Sequence, residues 1–140
     1  SSVIAEFTRR IASETENVSL DPETVLSGVR NAMNQTQYGF YVVAQSSSEV
    51  IGCLMVTYEW SDWRNGLQWW LQSVYVDPAY RGFGVFRKLF SFVVELAKDE
   101  HNVCGIRLYV DKSNAIAIST YQALEMTPTQ YLVYELPLRD

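Results

Sequence analysis

Apolar residues at helical spacing open the chain. Val3, Phe7, Ile11 and Ala12 share one face and predict a helix from Val3 to Glu16. Leu20-Asp21-Pro22-Glu23 starts a second helix, with Asp21 as its cap and Pro22 at its first position. It runs to about Asn34, where Asn-Gln-Thr-Gln-Tyr-Gly breaks the pattern. The period then shortens. Tyr38 to Ala44 and Val50 to Tyr58 read as strands joined across Gln45-Ser46-Ser47-Ser48-Glu49 in a hairpin. Ser61 to Gly66 is a loop and Trp69 to Val76 a central strand. A helix from Phe83 to Lys98 carries Phe86, Leu89, Phe90, Val93 and Ala97 as a core stripe. Cys104, Ile106, Leu108 and Val110 alternate as the next strand, Asn114 to Leu124 is a short helix, and Gln130 to Leu136 is a closing strand between Pro128 and Pro137. Two helices, a hairpin and then alternating strands and helices predict an α/β or α+β sheet covered by helices on both faces.

Composition narrows what this scaffold does. With 140 residues, 48% of them hydrophobic, the chain supports one well-buried core, so a single domain over 1–140 is expected. A net charge of −5 argues against a nucleic-acid partner and permits attraction of a cationic substrate. No apolar run reaches membrane-spanning length and no signal-peptide pattern opens the chain, so the expected location is the cytoplasm, with no membrane partner. Cys53 and Cys104 both fall in apolar alternating runs, which predicts small buried thiols and fits a reducing compartment. The single histidine, His101, sits in a polar helix-end segment, so histidine catalysis and metal binding have almost no material; no metal is expected.

The chemistry concentrates in residues 73 to 86. A β-branched strand ends at Asp77-Pro78, and a loop containing Gly82 and Gly84 opens the following helix. Glycines there remove side chains where a helix presents its unpaired first N–H groups, and Arg81 adds positive charge beside them. A diphosphate suits such a loop. Two familiar phosphate motifs fail: Gly84 is followed by Val85-Phe86-Arg87 rather than Gly-Lys-Ser/Thr, and Arg87 stands where a dinucleotide fingerprint needs its third glycine.

Arg81-Gly82-Phe83-Gly84-Val85-Phe86 resembles the acetyl-CoA loop of the GNAT N-acetyltransferase family, Arg/Gln-x-x-Gly-x-Gly/Ala, up to its last position, where Phe86 replaces a small residue. Asn114-x-x-Ala117-x-x-Thr120-Tyr121 resembles the family's second motif, Asn-x-x-Ala-x-x-Leu/Phe-Tyr-x-x-x-Gly-Phe; Thr120, Glu125 and Met126 depart from it. The resemblance implies a mixed, mostly antiparallel sheet with helices on both faces and acetyl-CoA as the cofactor. It implies that the strand at Val74, Tyr75 and Val76 splays from its neighbour, freeing main chain for the pantetheine arm and acetyl oxygen. Arg81, Gly82, Phe83, Gly84, Val85 and Phe86 would hold the pyrophosphate, with the Phe86 side chain turned into the core. Asn114 would contact the pantetheine, and Tyr121 would donate a proton to the departing thiolate.

Acetyl transfer also needs a group to take the proton of the amine and donors for the tetrahedral oxyanion. Glu59 is the candidate base, with Asp62 as the alternative; a carboxylate desolvated among aromatic residues moves toward the range useful for a base. All four tryptophans, Trp60, Trp63, Trp69 and Trp70, crowd this loop and the next strand, which suggests an acceptor pocket of π faces and carboxylates built from Glu59, Trp60 and Asp62. The structural alternative is an exposed turn with internal ion pairing. Family members usually begin with a strand before the first helix, and Ser1-Ser2-Val3 leaves almost no room for one. Either that strand lies outside this sequence or its place at the sheet edge is vacant, and a vacant edge is able to pair with another chain as a homodimer. The expected activity is therefore acetyl-CoA-dependent N-acetylation of a primary amine, a small molecule of polyamine or aminoglycoside type ahead of a protein. The rival is a non-catalytic acyl-CoA sensor.

Overall fold

The structure is a computed structural model that describes residues 1–139. Its contacts fall into two compact units, 1–109 and 110–140. In the first, helices α1 (Ser2–Glu16) and α2 (Pro22–Asn34) precede strands β1 (Gly39–Ser46), β2 (Glu49–Ser61) and β3 (Gly66–Val76). A single 3-10 turn, Pro78–Tyr80, leads to α3 (Val85–Asp99) and β4 (Val103–Leu108).

Local chemistry sets the boundaries. The Asp21 carboxylate accepts from the Thr24 amide at 2.9 Å, with Pro22 following in the first turn of α2. Asp77 likewise accepts from Ala79 and caps the 3-10 turn. The β2–β3 hairpin closes from Ser61 paired with Gly66, so the predicted loop after Ser61 is a tight turn, with Asn65 at φ 49°.

The sheet order is β1-β2-β3-β4, antiparallel through β3 and parallel between β3 and β4. Cys53 packs with Ile4, Phe7 and Val29 on the α1–α2 side, while its neighbours Leu54 and Val56 point to the other face and are also fully buried. Leu89, Phe90, Val93 and Ala97 form the buried stripe of α3, as the periodicity predicts. Both faces are covered. β1 has one strand neighbour among the described residues.

Three expectations change. Val3 is exposed, and the buried face of α1 is Ile4, Ala5, Phe7 and Ala12. Cys104 is exposed rather than buried, because β4 is only half covered along its length. In the second unit α4 (Ala115–Ala123) forms as predicted, whereas Gln130 to Leu136 forms no strand: it has no ladder partner among the described residues, and an apolar run between prolines cannot by itself supply one.

Candidate active site

The centre of the candidate site is a defect in β3. Cys53 pairs with Tyr75 and Met55 pairs with Gln72, so Leu54 on β2 faces both Ser73 and Val74 on β3. This is a β-bulge, with Ser73 in the left-handed region at φ 52°. On the other edge of β3 the parallel ladder ends at Leu71 paired with Leu108. Gln72, Tyr75 and Val76 therefore keep their partners on β2, and Gln72 to Val76 have none on β4 among the described residues. At Val74, Tyr75 and Val76, where the splay is expected, the main chain on the side away from β2 has no ladder partner among the described residues.

The bulge also changes which side chains face which helix. Before it, Trp69 lies on the α3 side, lining a cavity of about 450 Å³ with Phe40, Tyr58 and Leu96. After it, Tyr75 lies on the α1 side, its ring 4.9 Å from Phe7. One extra residue turns odd-numbered positions from one face to the other.

The loop beyond Val76 has the backbone its glycines imply. Gly82 and Gly84 sit at φ 84° and 81°, and a Cβ at either would meet nothing within 4 Å. Conformation rather than crowding requires glycine, and the space before the loop stays open. Gly84 is the N-cap of α3 and no side chain caps that end, so the helix presents its first N–H groups there. Phe83 is exposed; Phe86 is half-buried with its ring 6.0 Å from Phe90, turned toward the stripe of α3.

Arg81 is held from three sides. Its Nε donates to the Val76 carbonyl at 2.8 Å, a terminal nitrogen donates to Glu14 Oε2 at 2.9 Å, and the guanidinium lies 5.1 Å from the centre of the Tyr75 ring. The Tyr75 hydroxyl donates to the other Glu14 oxygen at 3.1 Å. Arg81 holds the Glu14 carboxyl below the usual carboxylate range, while burial pushes the Tyr75 phenol up. Sequence reasoning missed Glu14, since nothing local to α1 marks it.

Glu59 stands apart from the bulge. It pairs across the ladder with Gln68, four positions from Met55, which is about 13 Å along the strand. Its carboxylate accepts from the Trp70 indole at 2.8 Å and from Arg107 at 3.3 Å. Trp70 stacks on Tyr109 with ring centres 4.4 Å apart. The desolvation expected of Glu59 is absent: its side chain is 47% exposed and ion-paired. Trp60, Asp62 and Trp63 are exposed at the hairpin end. Of the four tryptophans, Trp69 enters the core, Trp70 forms this aromatic and carboxylate cluster, and the other two face solvent.

In the second unit, Asn114 caps α4 by accepting from the Ala117 amide at 3.1 Å. Burial pushes the Tyr121 phenol up. The helix closes through Met126 N–H to the Tyr121 carbonyl and Glu125 N–H to Gln122, a Schellman motif with Glu125 in the left-handed region at φ 68°. The turn for which the family pattern uses glycine is retained with glutamate.

Comparison with known proteins agrees with this arrangement. A bovine (Bos taurus) thialysine N-epsilon-acetyltransferase is 35% identical over 75 residues, which is 54% of this chain and 43% of that protein, so the match spans less than half of the relative. Among solved structures, a possible acetyltransferase from Clostridium difficile 630 superposes with a TM-score of 0.92 at 40% identity, covering 99% of this chain and 91% of that one. A predicted acetyltransferase with acetyl-CoA from Clostridium acetobutylicum shares the fold, with a TM-score of 0.78 at 18% identity over 98% of this chain and 89% of that one. Residues 5–126 match the model of the acetyltransferase (GNAT) family, and the chain belongs to that family.

Proposed function

We propose that this chain, acting as one domain over residues 1–140, transfers the acetyl group of acetyl-CoA to the nitrogen of a small primary amine in the cytoplasm. The observation that carries the reading is the main chain of Val74–Val76, which has no ladder partner among the described residues on the edge away from β2 and leads from the bulge into a glycine loop at an uncapped helix N-terminus. Such a strip offers N–H and C=O groups to an extended amide-bearing arm, and the loop offers N–H groups to a diphosphate. These residues fit an acyl-CoA.

Bound acetyl-CoA supplies an activated thioester carbonyl. Around it, main-chain N–H groups near Val74 stabilise negative charge on the acetyl oxygen. Asn114 uses its side-chain oxygen as the cap of α4, which leaves its amide N–H groups as donors to the pantetheine. Tyr121, a phenol already protonated at neutral pH whose pKa burial pushes further up, would donate to the thiolate. Glu59 receives the amine proton through water, since it lies well along β2 from the bulge; Asp62, exposed beyond it, is the alternative. Glu59, Trp60 and the ring pair Trp70–Tyr109 give a cationic acceptor a carboxylate and π faces.

The test is coenzyme A release with a panel of polyamines, aminoglycosides and lysine peptides. Turnover on a small amine supports the proposal. Tight acetyl-CoA binding with no turnover on any amine replaces it with the sensor reading, and turnover confined to peptides moves the acceptor to protein.

A further inference from the structure

A cavity of about 450 Å³ lies under the C-terminal end of α3. Trp69 forms part of its wall, and strand alternation puts the neighbouring Trp70, with the Glu59 carboxylate it holds, on the opposite face of the sheet. The ladder sets Tyr58 beside Trp69, and Phe40 from β1 completes a cluster of three rings. Phe40 meets Trp69 edge to face with ring centres 5.2 Å apart, and Tyr58 lies 6.3 Å from each. Leu67 and Leu96 add aliphatic surface. The volume is that of a small-molecule site.

One charge enters this aromatic wall, and it is negative. Glu100 lines the cavity as the C-cap of α3, where the last carbonyls of the helix add partial negative charge. Burial pushes the Tyr58 phenol up, and the charge of Glu100 nearby adds to that shift. Among the described residues no basic side chain lines the cavity; Lys98, two positions before Glu100, is paired with Glu95 at 3.5 Å.

Ring faces joined by a carboxylate favour a cationic guest. A primary ammonium is compact and strongly hydrated, and this wall is too apolar to replace its water. Methyl groups on the nitrogen spread the charge over apolar surface that meets the rings directly. We propose that the cavity binds a small quaternary ammonium ion of choline type, its methyl groups against Phe40, Tyr58 and Trp69 and its charge facing Glu100. Such a nitrogen has no lone pair to attack a thioester, so its site is separate from the acceptor side of the sheet and stands whether or not the chain transfers acetyl groups.

The test follows the four tryptophan indole N–H signals of isotope-labelled protein by nuclear magnetic resonance during titration with choline and with its uncharged tert-butyl isostere. Replacing Trp60, Trp63 and Trp70 by Phe in turn assigns their signals and leaves that of Trp69. Choline is expected to shift the Trp69 signal with half-saturation at about 1 mM or below, and the isostere to bind roughly tenfold more weakly. Glu100→Gln, at an exposed position, should weaken choline roughly threefold. The comparison of choline with its isostere is made on the wild type and needs no variant to fold. Absence of a saturable Trp69 shift overturns the proposal, as does equal affinity for the isostere. A shift confined to Trp70 places the cation on the acceptor side and also overturns it.

Discussion

Arg81 and Glu14, 67 residues apart in sequence, are joined at 2.9 Å, so the first helix and the glycine loop are clamped together. The guanidinium is already paired by this contact and by the Val76 carbonyl. These contacts tie the end of β3 and the start of the loop to α1. A lysine keeps the charge and loses the fork that reaches both partners. Arg81→Lys is therefore expected to weaken acetyl-CoA binding by roughly twofold to fivefold, from the ~0.4–1 kcal/mol of an ion pair at a solvated site. Calorimetric titration checks this, and unchanged affinity would leave Arg81 with a charge role only.

The same pair sets a pH dependence. Arg81 holds the folded-state pKa of Glu14 below its unfolded value. The stabilisation is thus present above the unfolded pKa and is lost as pH falls through the folded one. Glu14→Gln should have a lower melting temperature than wild type near neutrality, and the gap should close in acid. Thermal melts of both proteins from pH 7 downward measure it; a constant gap would mean that the carboxylate's charge is irrelevant.

For Tyr121 the expectation concerns turnover. Loss of a general acid costs on the order of 100-fold or more in rate, so Tyr121→Phe should lower kcat by that order with little change in acetyl-CoA affinity. Equal turnover in the two proteins would remove Tyr121 from the mechanism.

Glu125 holds a left-handed conformation that costs a non-glycine residue about 1–2 kcal/mol. Part of that cost returns through the greater freedom of an unfolded glycine. Glu125→Gly should stabilise the protein by about 0.5–1 kcal/mol, read as a higher denaturant midpoint with the slope unchanged. Destabilisation would show that the glutamate side chain supports the turn.

The two thiols should differ sharply. Cys53 is buried and its pKa is pushed up to about 11. A maleimide should modify Cys53 only under denaturing conditions, and mass spectrometry after labelling gives the count at each site. Modification of Cys53 in the native protein would require local opening of the strands β1 to β3.

What the sequence determined by itself is local. Asp21-Pro22 starts α2, the stripe of α3 falls on the residues its period marks, and Gly82 and Gly84 take the left-handed backbone that only their lack of a Cβ makes cheap. Asn114 caps its helix. Each of these rests on chemistry within a few residues along the chain, so a short window contains its cause.

Only the tertiary structure decided the rest. The bulge at Ser73–Val74 arises from pairing with a strand some twenty residues away, and it moves Tyr75 to the opposite face from the one simple alternation assigns. Which tryptophan enters the core, which carboxylate reaches Arg81 and whether Cys104 is covered all depend on what the folded sheet brings alongside. Residues 131–136 are the limiting case. Their run of Tyr, Leu and Val between two prolines reads as a strand, but a strand needs a ladder partner, and no pattern within the segment supplies one.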